Sequence, residues 1–108
     1  MAREKFQTLT EQMFYILLCL GEERCGADVM AQVSAVTHGR VAVGPGTLYA
    51  LLESFLQEGM IRETASRGRK RSYILTDKGW ETLENEYRRL SLVAEDYRRV
   101  VAGEGGNA

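Results

Sequence analysis

Apolar residues recur at helical spacing along the first third of the chain. Over residues 9–20 they lie three and four positions apart, and Thr8 with Glu11 has the spacing of a capping box. A second apolar stripe extends over residues 27–36. The pattern therefore predicts a first helix that ends near Gly21 and a short second helix.

A third helical pattern begins at the only proline of the sequence. Pro45 suits the first turn of a helix, because the N–H group that it lacks has no intrahelical acceptor there. A broad apolar stripe follows up to Glu58, and Gly59 has the position of a C-cap. The opposite face, flanked by Tyr49 and Glu53, carries small and polar side chains: Thr47, Ala50, Ser54 and Gln57.

The period then changes to that of strands. Residues 60–65 and 72–75 are β-compatible runs on either side of a loop that contains Gly68, which predicts a hairpin. Thr76 has the position of an N-cap for a helix over residues 77–101. The apolar positions of that helix follow a heptad pattern: Trp80, Leu83, Tyr87, Leu90, Ala94, Tyr97 and Val101. Such a helix is expected to pack along its length.

Size and composition limit the chain to one structural domain. Its 108 residues are 44% hydrophobic, which is enough for a single core. No apolar run approaches the roughly 20 residues that cross a bilayer, and the N-terminal residues lack the features of a signal peptide. We therefore expect a cytoplasmic protein with no membrane partner.

The loop of the hairpin carries a concentrated positive charge in a chain of net charge −1. Its four cations, which surround Gly68, are Arg67, Arg69, Lys70 and Arg71. Like charges this close repel one another, so the cluster favours an anionic, repetitive partner such as a nucleic-acid backbone. A solvated hairpin tip with no partner is the alternative, but the position directly after a helix with a small-residue face favours DNA.

Three short helices followed by a charged hairpin is the order of a winged helix-turn-helix. The expected fold is mainly α with a small β-hairpin: a DNA-binding domain over residues 1–76, a dimerisation helix over residues 77–102 and a flexible tail over residues 103–108. In this fold the third helix enters the major groove. Thr47, Ala50 and Ser54 are then candidates for base contacts and Tyr49 for a phosphate contact.

The last helix predicts a homodimer. A 25-residue helix is about 37 Å long, which exceeds what so small a domain can cover. Its seven heptad positions, from Trp80 to Val101, are therefore the candidate dimer interface, and the two-fold axis would set the spacing of two DNA half-sites.

The sequence offers little for catalysis or metal binding. His38 is the only histidine, and there is no P-loop or dinucleotide fingerprint, so we expect neither an enzyme nor a cofactor. Glu84 and Glu86 are interpreted as surface acids. Cys19 is predicted in the core and Cys25 in a loop, with a thiol- or metal-responsive regulator left open. A winged-helix module that binds another protein is a further alternative.

Several motifs together resemble the PadR-like transcriptional regulators. They are Gly46-Thr47-Leu48-Tyr49, Leu51-Leu52, Glu58-Gly59-Met60-Ile61 and the run from Gly68-Arg69-Lys70-Arg71 through Thr76-Asp77-Lys78-Gly79. The resemblance covers residues 9–80, and the single C-terminal helix is similar to the short subgroup of the family. It implies a dimeric winged-helix DNA-binding protein, usually a repressor, that responds to a small ligand or a cellular signal. It also implies that Thr47 and Tyr49 open the recognition helix and that residues 69–71 belong to the wing.

The chain departs from the family pattern at three places. Glu53-Ser54 stands where basic residues are frequent, and Gly26-Ala27 stands where Gly-Tyr is frequent. Leu90 and Ser91 occupy the middle of the last helix, where some members have an aromatic residue that stacks on a flat ligand. No effector site can therefore be assigned, and Trp80 is interpreted as a packing residue.

Overall fold

The four predicted helices and the two strands of the hairpin occur in the predicted order in a computed structural model that describes residues 8–64 and 70–103. The helices are α1 (Glu11–Cys19), α2 (Gly26–Val36), α3 (Pro45–Gln57) and α4 (Asp77–Val101). The strands are β1 (Arg24–Cys25), β2 (Ile61–Thr64) and β3 (Ser72–Leu75). The fold is mainly α with a small antiparallel sheet, as the sequence predicted.

Helix α1 begins two residues later than a cap at Thr8 would require. Thr10 is the N-cap, and its hydroxyl accepts a hydrogen bond from the backbone N–H of Met13 at 3.2 Å. The preceding N–H group, that of Leu9, donates instead to a carboxylate oxygen of Glu86 at 3.3 Å. The predicted capping box of Thr8 and Glu11 was therefore wrong, because a contact with α4 directs the chain before Thr10.

The sheet contains one strand that the sequence analysis missed. Its order is β1-β3-β2, with β3 antiparallel to both neighbours. Strand β1 pairs Cys25 with Ser72, so Cys25 is a buried strand residue and not part of a loop as predicted. The N–H of Leu75 also donates to the carbonyl of Leu20 at 2.9 Å, which ties β3 to the end of α1.

Thr76 joins three elements at the start of α4. Its side chain accepts a hydrogen bond from the N–H of Gly79 at 3.1 Å and donates to the carbonyl of Gly59 at 2.6 Å. Gly59 follows α3 with φ +76°, a left-handed conformation that suits glycine. A Cβ at Gly79 would overlap the carbonyl oxygen of Met60, so this position has no room for a side chain. The hairpin and α4 are thus held in a fixed relation to α3.

The core lies between α1, α2, α3 and the sheet. Leu83 is the apolar residue of α4 that is buried in it. The heptad face of α4 is therefore divided: Leu83 stabilises the single chain, whereas the other heptad residues are exposed. None of the helices in the described part of the chain is long and apolar enough to cross a membrane.

Glu86 is buried beside Leu83 and is not the surface acid that the sequence suggested. It is 3% exposed, and it accepts two hydrogen bonds from Arg89, at 3.0 and 2.6 Å, besides the one from Leu9. The hydrogen bonds from Arg89 are the main reason that the pKa of Glu86 lies below its ordinary value, although burial opposes them. Glu86 therefore fastens the N-terminal segment to α4.

Candidate nucleic-acid interface

The exposed face of α3 begins at Thr47. Leu48, Leu52 and Phe55 are buried in the core and fix the rotation of the helix. Thr47 and Ala50 are consequently exposed, whereas Ser54 is only partly accessible. Of the three candidates for base contacts, two are thus exposed and the third is half-buried.

Tyr49 crosses from α3 to the first residue of α2. Its ring lies so close to Gly26 that a Cβ there would approach Cζ of Tyr49 to 2.8 Å. Glycine fits this close approach of the two helices, because a Cβ at position 26 would force the ring of Tyr49 to move. About half of the tyrosine remains exposed, at 49%.

The wing, defined here as residues 61–75, is only partly described. Arg67 and Arg69 lie outside the described residues, and Lys70 is exposed. Arg71 donates two hydrogen bonds to the Glu63 carboxylate, both at 3.0 Å, and its guanidinium lies 5.6 Å from the ring centre of Tyr73. The hydrogen bonds from Arg71 hold the pKa of Glu63 below its ordinary value. Part of the charge of Arg71 is thus already compensated, which the sequence analysis did not foresee.

A cavity of about 240 Å³ brings the wing, α2 and α3 together. It is lined by Cys25, Gly26, Ala27, Tyr49, Lys70, Arg71 and Tyr73. Tyr49, Lys70 and Arg71 were all predicted to bind DNA, and the fold places them around one opening. Gly26 and Tyr73 were not predicted site residues. The sequence gives no reason to single out Gly26, because its importance depends on the contact with Tyr49. Tyr73 lies on the inward face of β3, where half-buried and buried residues alternate, and therefore looks like a core residue.

A second cavity, of about 380 Å³, lies on another part of the surface. It is lined by Leu18, Cys19, Gly21, Glu22, Arg24, Gln32, Val36 and Trp80. The indole of Trp80 packs on Gly21, where a Cβ would lie 3.0 Å from Cη2, yet 48% of the tryptophan is exposed. Trp80 therefore combines a packing contact with an accessible ring.

Both cysteines are free and buried. Burial raises the pKa of the Cys19 thiol, and the nearby charge of Arg24 opposes this only in part. No group of three His, Cys, Asp or Glu residues within 8–64 and 70–103 is arranged to hold a metal ion. Nothing in the described geometry therefore favours the thiol- or metal-responsive alternative.

Solved structures of transcriptional regulators share this fold. A PadR-like regulator from Bacillus cereus is 26% identical, with a TM-score of 0.71 over 85% of this chain and 92% of that one. A regulator from Clostridium thermocellum is 17% identical, with a TM-score of 0.73 over 82% and 91%. PadR of Bacillus subtilis, in complex with operator DNA, is 24% identical with a TM-score of 0.62, over 69% of this chain and 45% of that one.

A comparison with curated proteins found no match. The model of the PadR-like family of transcriptional regulators matches residues 16–85, which is more than half of the chain. The matched segment extends from the buried part of α1 to the first turns of α4 and includes the whole of α3 and the wing. By this match and by its winged-helix fold, the chain belongs to the PadR-like transcriptional regulators.

Proposed function

We propose that this chain is a sequence-specific DNA-binding regulator that acts as a homodimer, represses transcription and is released by a small-molecule effector. The observation that carries the proposal is the convergence of Tyr49 from α3 with Lys70 and Arg71 from the wing around one cavity. Phenolic and cationic side chains are the groups that proteins use to hold the phosphate backbone. Family membership supports the same function.

The recognition helix of this proposal is α3. With its buried face in the core, the helix can present Thr47 and Ala50 to base edges in the major groove, where a threonine hydroxyl exchanges hydrogen bonds and an alanine contacts a thymine methyl. Ser54 would contribute less because it is half-buried. Arg67 and Arg69, together with Lys70, would supply the contacts to phosphates.

The dimer of this proposal forms through α4. Trp80 and every residue from Tyr87 to Ala102 are exposed in the single chain, although several are large and apolar. Burial of such side chains against a second copy contributes about 25 cal/mol per Å² of apolar surface. The proposed interface therefore comprises the exposed heptad residues Trp80, Tyr87, Leu90, Ala94, Tyr97 and Val101, without Leu83.

Repression and release by an effector are proposed from the family. PadR of Bacillus subtilis is bound to operator DNA in its structure. We extend operator binding to this chain and place the regulated genes next to its own gene, where such regulators commonly act. The effector is a small molecule of unassigned chemistry.

Fluorescence anisotropy with a duplex from the region upstream of its own gene tests the proposal. The wild-type chain should bind, and log K should fall with log salt, since each neutralised phosphate adds about −0.9 to the slope. Lys70→Ala should weaken binding and reduce the slope by about 1.8, because the dimer loses two phosphate contacts, whereas Arg98→Ala, the same loss of charge near the end of α4, should change neither. An affinity that does not change with salt concentration, or equal effects of the two variants, would contradict the proposal.

One observation favours a second function, a module that binds another protein. The carboxylate of Glu63 pairs with Arg71, and the exposed Glu53 carries negative charge on the same helix as Thr47. Both acids repel a phosphate backbone. If the wild-type chain binds neither its upstream DNA nor unrelated duplexes at low salt, this second function becomes the better account.

A further inference from the structure

Tyr73 is a buried tyrosine whose hydroxyl has no hydrogen-bond partner among residues 8–64 and 70–103. The residue is 2% exposed, yet its hydroxyl makes no hydrogen bond to any other described residue. Fully enclosed side-chain N and O atoms in the described part of the chain all have partners. The hydroxyl must therefore reach an opening, and Tyr73 lines the 240 Å³ cavity. Because buried tyrosine hydroxyls ordinarily find a partner, this one is free to meet a ligand.

The hydroxyl of Tyr73 is a donor at neutral pH. Burial is the main reason that the pKa of Tyr73 lies above its ordinary value, and the positive charge of Arg71 opposes this only in part. A group that keeps its proton can donate to an acceptor in the cavity.

The first turn of α2 opens into the same cavity through Gly26 and Ala27. The first N–H groups of a helix have no intrahelical acceptor, and the dipole of this 11-residue helix favours an anion at its N-terminus. The N-cap residue, Cys25, makes no side-chain hydrogen bond to these N–H groups. The backbone donors are thus uncapped beside an unpartnered hydroxyl.

Lys70 and Arg71 add positive charge to these hydrogen-bond donors. Lys70 lines the cavity, is exposed and forms no ion pair with the described carboxylates. Arg71 also lines it but is engaged by Glu63. Glu63 and the exposed Asp28 in the first turn of α2 oppose an anion. The groups that face the opening without a partner are nevertheless donors and one cation, which is the set that holds a phosphate.

We infer that this cavity seats one backbone phosphate of the bound DNA, held by the hydroxyl of Tyr73, the N–H groups at the start of α2 and the charge of Lys70. The inference rests on the proposed function and deepens it, because it assigns a phosphate contact to Tyr73 and to the start of α2. Both lie outside the recognition helix and the wing tip. A phosphate that is bound by both α2 and the wing fixes the register of the protein on the duplex but carries no sequence information.

Tyr73→Phe tests the inference directly. The variant removes only the hydroxyl, which bonds to no described protein atom, so the midpoint of thermal unfolding should not change. DNA affinity should fall about tenfold for each protomer, and hence about a hundredfold for the dimer, as for hydrogen bonds to a charged group, while the salt slope stays constant because no charge is lost. Tyr15→Phe, which removes a hydroxyl on α1 that accepts a hydrogen bond from Arg40, is the matched control and should bind as the wild type does.

The seated phosphates, one in each half-site, can be found by replacing symmetry-related pairs of backbone phosphates with neutral methylphosphonates. At the seated pair, Tyr73→Phe should cost nothing further, whereas at every other pair its full loss of affinity should persist. A wild-type chain that binds DNA while Tyr73→Phe has no effect, or the same effect at every pair, overturns the inference and leaves the proposed function intact. A wild-type chain that binds no DNA overturns both.

Gly26→Ala provides a second variant. Its Cβ would press on the ring of Tyr49 and displace that ring from its place beside Gly26, so binding should weaken. In a Tyr49→Ala background the three atoms nearest to that Cβ are gone, and Gly26→Ala should then have much less effect. An equal loss in both backgrounds would show that the methyl group acts on α2 alone and would contradict the role given to the Gly26–Tyr49 contact.

Discussion

Single residues decide how much positive charge the wing offers to DNA. The sequence contains four cations in the loop, but Glu63 engages Arg71 through two hydrogen bonds. Glu63 and Arg71 are eight positions apart, so the pairing becomes visible only once the register of β2 and β3 is known. Lys70, which has no such partner among the described carboxylates, is therefore the better probe of a phosphate contact.

Glu86 shows a similar limit of sequence reasoning at the scale of one residue. The sequence gives no sign that Glu86 is buried, because the hydrogen bond from the N–H of Leu9 depends on how α4 docks. The pairing with Arg89, three positions along the same helix, is local. Because the pKa of Glu86 is lowered in the folded chain, the free energy of unfolding depends on pH.

Glu86→Gln should lower stability at pH 7 by about 1–3 kcal/mol, the usual value of hydrogen bonds to a charged group. The pKa of Glu86 is lowered in the folded chain, so its contribution is complete above the unfolded value of about 4.3 and is lost as pH falls through the folded value. The wild-type melting temperature should thus fall more steeply below pH 4.3 than that of the variant, measured by circular dichroism. Glu84→Gln, at an exposed position of the same helix, should behave as the wild type does; parallel curves for wild type and Glu86→Gln would contradict this role.

At the scale of elements, the sequence predicted the helices and the hairpin because their apolar periods are long and regular. Helix α4 runs from Asp77 to Val101 as expected, with Thr76 as its cap. Strand β1 was missed because a strand of two residues is too short to show an alternating pattern. Its existence depends on the pairing of Cys25 with Ser72, which is distant in the sequence. The start of α1 was misplaced because Thr8 and Thr10 are both good caps and a tertiary contact selects Thr10.

Helix α4 carries the clearest prediction at this scale. Leu90→Asp should give a monomer, since it places a charge in the proposed apolar interface while Leu83 and Glu86 still hold the helix to its own core. Sedimentation velocity on the wild type should show a dimer. Asn85→Asp, which introduces the same charge outside the heptad positions, should leave the dimer intact. A folded Leu90→Asp chain that sediments as the wild-type dimer would refute the assigned interface.

At the scale of the whole molecule, the fold unites residues that lie far apart in the sequence. The cavity joins the start of α2, the second turn of α3 and the end of the wing. The sequence predicted Tyr49, Lys70 and Arg71 as separate contacts, but Gly26 and Tyr73 acquire a role only through this arrangement. The proposed dimer would then present two such faces, related by the two-fold axis.

Hydroxyl-radical footprinting on the duplex upstream of the gene tests the central claim, a winged-helix dimer bound to two half-sites. The account predicts two protected patches on one side of the duplex, separated by one helical turn, about 10 base pairs, or a multiple of it. Protection should disappear with Leu90→Asp at concentrations that suffice for the wild-type dimer. A single patch that persists with Leu90→Asp, or no protection at low salt, would contradict the account.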